Sequence, residues 1–327
     1  MADDMNATIG DDQGPALSIV VPVYNGADTV ASLVGAIEGL NVPGGVEVIL
    51  VVDGSPDNSL AVCRDLLPTT KITLIVVDLA RNFGEHNAVM AGLHQARGRH
   101  VITMDDDLQN PPSEVLKLLG HAQATGADVV YTWYQSKEHA AWRNWGSHFT
   151  NRVADLLLDK PKGLYLSSFR CMSRFLVRQI LSYDGPFAYI DGLILQVTQR
   201  IERVEVLHLP RAMGRSNYTI RKLVRLWMNM FVNFSVMPLR ISTLTGMGLS
   251  VLGAIAAVFV TIEAVVLQAT PRGWCSIMAA VLLLSGVQLM ILGIVGEYLG
   301  RMFLTANRKP QFIVREAWRS GDAAKRV

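Results

Sequence analysis

Three consecutive aspartates are the residues of this chain best suited to chemistry. Asp105, Asp106 and Asp107 directly follow an apolar run at residues 100–104. Side chains two apart in an extended segment point to one side, so Asp105 and Asp107 should converge while Asp106 points away. Neighbouring carboxylates repel each other unless a cation or proton intervenes. The pattern predicts Mg²⁺ or Mn²⁺ shared with a substrate diphosphate. The alternative is a solvated acidic loop before a helix starting at Ser113.

Short apolar runs rich in β-branched residues alternate with stretches of helical length and pattern. The predicted strands are residues 17–23, 47–52, 72–78, 100–104 and 128–132. The predicted helices are residues 29–40, 57–67, 85–95 and 113–125. This alternation indicates βαβ units, and the predicted class is α/β with a Rossmann-like, mostly parallel sheet. Ligands of such sheets bind beyond the carboxyl ends of the strands, where the aspartates lie.

Other polar residues follow the remaining predicted strands. Residues 22–26 contain no glycine-rich phosphate loop, which disfavours a nicotinamide-binding protein. Asp53 follows the second strand and is not needed for the helix cap that Ser55 provides. Its carboxylate is therefore a candidate acceptor for a base N–H or a ribose hydroxyl, with a plain turn as the alternative. Arg81 and Asn82 follow the third strand at the same rim.

The C-terminal third has the composition of a membrane segment. Residues 220–236 mix basic and aromatic side chains, which is typical of a helix at a membrane surface. Residues 244–262 and 274–295 carry no charge and are long enough to span a bilayer. Basic residues flank this pair while only Arg272 lies between its members, so the positive-inside rule places both ends in the cytoplasm. The alternatives are an ordinary surface helix and a buried hairpin.

Composition excludes several classes of function. The net charge is only +2 and no basic stripe crosses the first half, so a nucleic-acid partner is not expected. The three cysteines have no metal-binding spacing and are expected to be free thiols. The start of the chain lacks a signal-peptide pattern, so the first domain is expected in the cytoplasm.

The predicted organisation is a disordered tail (1–16), an α/β domain (17–218), interfacial helices (219–240), a two-span hairpin (241–300) and a basic cytoplasmic tail (301–327).

Several motifs in order carry a resemblance to a known family. Those at the strand ends are Pro22-Val23-Tyr24-Asn25, Asp53-Gly54-Ser55, Arg81-Asn82-Phe83-Gly84 and Asp105-x-Asp107-Leu108-Gln109-Asn110-Pro111-Pro112. Together they resemble the family-2 glycosyltransferases of the GT-A fold. Ser168-Phe169-Arg170, residues 208–218 and residues 296–301 resemble the polyprenyl-phosphate glycosyltransferases among them. The nearest likeness is to undecaprenyl-phosphate 4-deoxy-4-formamido-L-arabinose transferases and bactoprenol glucosyltransferases, over roughly residues 17–314.

The resemblance implies an inverting transfer of a sugar from a nucleotide-sugar, preferably UDP-linked, to undecaprenyl or another polyprenyl phosphate. The lipid phosphate would be the nucleophile. It is largely dianionic at neutral pH, so it has little need of a strong base. The product would be a lipid-linked monosaccharide for modifying lipid A, O-antigen or another cell-envelope glycan. The resemblance also implies a multi-pass enzyme of the bacterial inner membrane, with a cytoplasmic catalytic domain and a homotetrameric assembly.

The resemblance assigns roles to individual residues. The metal ligands would be Asp105 and Asp107, and Arg211 and Asp191 complete the expected catalytic set. The residues expected to bind the nucleotide-sugar are Pro22, Tyr24, Asn25, Asp53, Arg81, Asn82, Asp105, Asp106 and Gln109. The residues expected to bind the lipid phosphate are Arg170, His208, Arg211, Ser216 and Tyr218.

Three positions depart from the family pattern. Gly26 and Val52 stand where the family often has acids, and residues 163–167 lack an acid that many members have. The last departure leaves the catalytic base unassigned, with Asp159 or Asp191 as candidate replacements. The alternatives are a catalytically silent membrane scaffold of the same fold and a GDP-mannose-using transferase. A processive polysaccharide synthase or a lipid flippase would need more spans.

Overall fold

The computed structural model describes residues 14–134, 164–207, 209, 244, 246–248, 251–252, 255 and 273–321. The chain forms two compact units. One consists of Met1–Tyr218 with Pro310–Val327, and the other of Thr219–Lys309. The predicted interfacial helices and most of the first predicted span lie outside the described residues.

The described part of the first unit is built on one sheet of eight strands in the order β7-β5-β6-β4-β1-β2-β3-β8. The strands are β1 Leu17–Val23, β2 Val46–Val52, β3 Thr73–Leu79, β4 His100–Thr103, β5 Val129–Trp133, β6 Arg170–Ser173, β7 Ile201–Glu205 and β8 Val314–Arg319. The helices are α1 Val30–Glu38, α2 Ser59–Leu66, α3 Glu85–Gln95, α4 Ser113–Thr125, α5 Arg174–Leu181 and α6 Ile190–Val197.

The central strands form as the sequence pattern predicts. Strands β4, β1, β2 and β3 pair in parallel, with Leu17 opposite both Val46 and His100. Nearly every residue of β1, β2 and β3 is buried, as expected for runs of branched apolar residues covered on both faces. Helix α1 buries residues at helical spacing, which packs one face of it on the sheet. These strands and α1 to α4 lie within two residues of their predicted bounds.

Strand β6 is antiparallel to both of its neighbours, and the sequence pattern did not predict it. It pairs with β4 on one side and β5 on the other, placing Arg170 opposite Thr103 and Tyr131. Strand β6 has only four residues, too few for a periodic signal to separate it from a loop. It brings the segment around Ser168 next to the end of β4.

The predicted basic tail, residues 301–327, contains a strand of the sheet, β8, which the sequence pattern did not indicate. This strand pairs antiparallel with β3, in which Val76 lies opposite Trp318. Its cations pair with acids of the sheet: Arg319 lies 3.7 Å from Glu47 and Arg315 lies 3.8 Å from Asp78. Charges that suggested a cytoplasmic tail therefore help to close one edge of the sheet.

The second unit contains a long apolar helix, α7, at Trp274–Ala306. Its 33 residues correspond to about 50 Å at ~1.5 Å per residue, more than the ~30 Å hydrocarbon core of a bilayer. Within it Leu284–Ala306 has a mean hydropathy of 1.4 and none of its apolar window is buried. By length and composition this helix is a candidate membrane span, and it continues past residue 295, where the predicted span ends.

Gly54 supplies a test of how closely β2 and β3 approach each other at their ends. It has a φ of +57°, and a Cβ there would lie 2.4 Å from backbone atoms of Arg81 and Asn82. Gly54→Ala should therefore cost about 2 kcal/mol, through backbone strain and overpacking. The matched control is Gly120→Ala, at a helical site with nothing within 4 Å of the new methyl group. It should be neutral or slightly stabilising. Equal unfolding temperatures for the two variants in detergent would contradict this.

Candidate active site

The two predicted metal carboxylates lie directly beyond the end of β4. Asp105 accepts a hydrogen bond from the Ser168 hydroxyl through Oδ2 at 2.8 Å. Asp107 accepts one from the backbone N–H of Gln109 at 3.1 Å, which closes a tight turn. Leu108, within that turn, has a left-handed φ of 59°. The chain therefore reverses immediately after Asp107 and keeps this carboxylate at the edge of the sheet.

Negative charge accumulates around Asp105. The pKa of Asp105 is raised to about 7, chiefly by burial and also by the charges of Glu85 and Asp107, while the Ser168 hydrogen bond and Arg170 act in the opposite direction. A divalent cation would relieve this repulsion, and carboxylate oxygens are the ligands it prefers. In the part of the chain that the structure describes, no group of three or more His, Cys, Asp or Glu side chains is arranged to hold a metal. Asp105 and Asp107 therefore fit a cation that takes its other ligands from water and substrate phosphates.

Glu85 is a site residue that the sequence analysis missed. It is the first residue of α3 and lines one narrow gap together with Pro22, Asp105, Ser168 and Arg170. An acid in the first turn of a helix is normally explained by the helix dipole, so its residue type alone did not mark it. The available signal was its position directly after the third strand-end motif.

Asp53 is occupied by the protein itself. It is 3% exposed, and its two oxygens accept hydrogen bonds from the backbone N–H groups of Phe83 at 2.7 Å and Gly84 at 2.9 Å. Burial raises its pKa, and these amide bonds offset that effect only in part. The predicted role was to bind the nucleotide base. The contacts instead assign the carboxylate to holding the β3–α3 turn against the end of β2.

The turn that Asp53 holds presents polar side chains at the rim. Arg81 and Asn82 are exposed, and the Arg81 guanidinium lies 4.6 Å from the Phe83 ring centre. Tyr24, at the end of β1, is 43% exposed. The next residue, Asn25, is exposed with a φ of 57°, and its N–H donates to the Ser55 hydroxyl at 2.8 Å. The rim thus has exposed aromatic, amide and cationic groups at the ends of the parallel strands β1 and β3.

Asp106 points away from Ser168 and towards the end of β1. A Cβ on Gly26 would lie only 2.0 Å from Asp106 Oδ2, so this carboxylate occupies the space where a side chain at position 26 would begin. Asp105, by contrast, bonds to Ser168 on the β6 side. This arrangement gives a physical reason for the glycine at position 26, where the family often has an acid.

Arg170 and Asp191 are in contact with each other, and neither has an accessible charge. Arg170 is 2% exposed and Asp191 7% exposed. Arg170 Nη1 donates to Asp191 Oδ1, and the Tyr131 hydroxyl donates to the same oxygen at 2.8 Å. Burial works against the charge of Arg170, yet Asp191 raises its pKa. These contacts argue against Arg170 as a surface ligand of a lipid phosphate and against Asp191 as an accessible base.

Gln109 connects the aspartate turn to the segment that leads towards the predicted acceptor residues. The Leu209 N–H donates to the Gln109 carbonyl at 2.8 Å, and Gln109 Nε2 lies 3.5 Å from the Leu209 carbonyl. Its amide is thus directed to the protein chain, whereas the prediction was a contact with nucleotide-sugar. The predicted residues that lie outside the described part of the chain are Asp159, His208, Arg211, Ser216 and Tyr218.

Similarity to known proteins agrees with this geometry. The sequence profile "Glycosyl transferase family 2" matches residues 18–181, and "GtrB C-terminal hairpin" matches residues 237–302. The chain is 32% identical over 316 residues to the undecaprenyl-phosphate 4-deoxy-4-formamido-L-arabinose transferase of Pseudomonas aeruginosa (strain LESB58), covering 94% of this chain and 92% of the relative. It is 32% identical over 318 residues to the enzyme of that name from Pseudomonas fluorescens (strain SBW25), covering 94% and 91%.

A solved structure of glucosyl-3-phosphoglycerate synthase from Mycobacterium tuberculosis, in complex with Mn²⁺, uridine diphosphate and glucosyl-3-phosphoglycerate, superposes with a TM-score of 0.47 and 21% identity. The superposition covers 68% of this chain and 78% of that chain.

The predicted fold class is confirmed: a GT-A α/β domain is accompanied by a C-terminal hairpin domain. The family profile spans the strands and turns that assemble the aspartates, and the similarity to named transferases extends over nearly the whole chain. The chain is therefore a glycosyltransferase, and it belongs to glycosyl transferase family 2.

Proposed function

We propose that this enzyme transfers a sugar from a nucleotide-sugar to polyprenyl phosphate, with inversion at the anomeric carbon. The observation that carries the proposal is the similarity to undecaprenyl-phosphate sugar transferases over 94% of the chain, which includes the hairpin as well as the catalytic domain. Similarity limited to the GT-A domain would not indicate which acceptor the enzyme uses.

On the donor side, Asp105 and Asp107 would hold Mg²⁺ or Mn²⁺. When bound there, the cation would neutralise the charge that develops on the departing nucleoside diphosphate. The exposed rim groups Tyr24, Asn25 and Arg81 are the proposed contacts of the nucleotide, with Asn82 beside them. Asp53 acts by keeping the turn of Arg81 and Asn82 in place. UDP is the proposed nucleotide because the sequence motifs most resemble those of UDP-sugar enzymes.

On the acceptor side, the nucleophile is an oxygen of the lipid phosphate. This oxygen is already anionic at neutral pH, so the enzyme needs orientation and charge stabilisation more than proton removal. The absence of an acid at residues 163–167 is compatible with such a reaction. His208, Arg211, Ser216 and Tyr218 remain the proposed phosphate contacts. The Gln109–Leu209 bonds support this proposal because Leu209, which adjoins these residues in sequence, is tied to the Asp107 turn.

The cellular setting follows from the acceptor. Polyprenyl phosphate is a membrane lipid, and the C-terminal hairpin with α7 provides membrane association. We propose a multi-pass protein of the bacterial inner membrane with its catalytic domain in the cytoplasm, assembled as a homotetramer. Its product is a lipid-linked monosaccharide for modifying a cell-envelope glycan such as lipid A or O-antigen. Retention of Asp105 and Asp107 disfavours a silent scaffold.

The first test uses the full chain in detergent with Mn²⁺, undecaprenyl phosphate and a panel of UDP- and GDP-sugars. We expect one donor to give nucleoside diphosphate release that needs the lipid and stops with a chelator. Mass spectrometry of the lipid product names the sugar. Lipid-dependent release with GDP-mannose alone would replace the UDP assignment, and no transfer from any donor would favour the scaffold.

Asp107→Asn removes one metal carboxylate without changing the volume of the side chain. Transfer should fall at least ~100-fold because charge on the leaving diphosphate is no longer neutralised. The matched control is Asp65→Asn, on the exposed surface of α2, which should retain wild-type transfer. Transfer by Asp107→Asn at the rate of this control would contradict the metal assignment.

Arg211→Ala should raise the KM for undecaprenyl phosphate about 10-fold or more while changing the KM for the donor little, because a charged hydrogen bond to phosphate is lost. Arg203→Ala, at an exposed position of β7, provides the control. Steady-state kinetics in mixed micelles separate the two constants. An equal rise in both constants for Arg211→Ala would remove this residue from the acceptor site.

A further inference from the structure

Hydrogen bonds, joined through the covalent frame of Ser168, link the buried Arg170–Asp191 pair to the proposed metal carboxylate Asp105. Arg170 Nε donates to the Thr103 hydroxyl at 3.3 Å, and that hydroxyl donates to the Ser168 carbonyl at 2.6 Å. The Ser168 hydroxyl then donates to Asp105 Oδ2 at 2.8 Å. The orientation of Asp105 therefore depends on groups that lie inside the protein, behind the site.

The far end of the path is anchored in α6 and β5. Asp191, in the first turn of α6, accepts from both Arg170 and the hydroxyl of Tyr131 in β5. The guanidinium also lies 5.7 Å from the centre of the Tyr131 ring. Arg170 is thus held from one side by an opposite charge and an aromatic ring.

Arg170 has acids on more than one side. It lines the same narrow gap as Asp105 and Glu85, and a guanidinium pairs readily with any carboxylate within reach. If Arg170 paired with Asp105, it would compete with a cation for the same oxygens. Asp191 provides the guanidinium with another partner and leaves Asp105 bonded to a neutral hydroxyl.

We propose that Asp191 and Tyr131 are positioning residues that retain Arg170 beside Asp105 without letting it pair with that carboxylate, and that Arg170 in turn fixes Asp105 for a divalent cation through Thr103 and Ser168. The proposal rests on the proposed function, because it needs a metal at Asp105 and Asp107. It replaces the expectations that Arg170 binds the lipid phosphate and that Asp191 is a base.

The test measures Mn²⁺ binding directly on the full chain in detergent, by electron paramagnetic resonance of free Mn²⁺, with and without UDP. Asp191→Asn keeps the shape of the side chain but removes the charge that retains Arg170. Ser168→Ala removes only the hydroxyl that bonds Asp105. Both variants should bind Mn²⁺ about 10-fold more weakly than wild type, the usual scale for groups that orient metal ligands.

Two matched controls separate positioning from folding. Asp128, directly before β5, accepts a hydrogen bond at 2.6 Å from the hydroxyl of Thr198, directly after α6. Asp128→Asn removes this carboxylate and should leave Mn²⁺ affinity unchanged. Ser167→Ala removes the neighbouring hydroxyl, which lies 2.9 Å from Thr132 instead of bonding Asp105. Thermal unfolding of every variant reports stability separately. If Asp191→Asn does not fold, Tyr131→Phe tests the same contact with a smaller change.

The outcomes are distinct. Weakened Mn²⁺ binding in Asp191→Asn and Ser168→Ala, with both controls at wild-type affinity, supports the proposal. Wild-type Mn²⁺ affinity in folded Asp191→Asn or Tyr131→Phe, whatever the change in unfolding temperature, overturns it and leaves the pair a structural one. A wild-type chain that transfers sugar but binds no Mn²⁺ overturns the proposal while sparing the transferase activity. A chain that does neither overturns the proposed function as well.

Discussion

Strands β4, β1, β2 and β3 run parallel, and so their carboxyl ends meet along one edge of the sheet. Each strand ends in a turn that carries polar groups, and residues far apart in sequence become neighbours at that edge. The turns are fixed to one another by specific contacts, most directly by the Asp53 carboxylate on the amides of Phe83 and Gly84. The proposed donor and metal sites and the exposed rim all depend on this alignment.

Charge inside the domain imposes a second constraint. A buried ion is tolerated only with a partner and hydrogen bonds, and removal of one partner typically costs about 3–5 kcal/mol. Arg170 satisfies this requirement through Asp191 and Thr103. Asp105 instead accepts a hydrogen bond from the neutral Ser168 hydroxyl, and the nearby charges of Glu85 and Asp107 help to raise its pKa. The buried cation is therefore paired with a carboxylate, whereas Asp105 lies where a bound cation would relieve the repulsion between carboxylates.

The elements that could be predicted are those with a locally repeating sequence pattern. The strands of the parallel sheet and helices α1 to α4 follow from alternation of apolar runs, and the turn of Asp105 and Asp107 follows from residue type and position. What could not be predicted depends on long-range pairing. Whether Arg170 faces a ligand or Asp191, and whether residues 314–319 form a tail or a strand, is decided by partners more than 15 residues away in sequence. Sequence periodicity contains no information about such partners.

The position of β8 late in the sequence has a consequence for how the sheet folds during synthesis. Its partner β3 is synthesised early, whereas β8 follows the entire hairpin domain in sequence. At a synthesis rate of roughly 5–20 residues per second, the outer edge of β3 remains unpaired for on the order of ten seconds or more before β8 is made. An open strand edge attracts other chains during that interval. The last step of the catalytic domain's folding thus follows synthesis of the C-terminal hairpin, which makes completion of the sheet depend on prior synthesis of that domain.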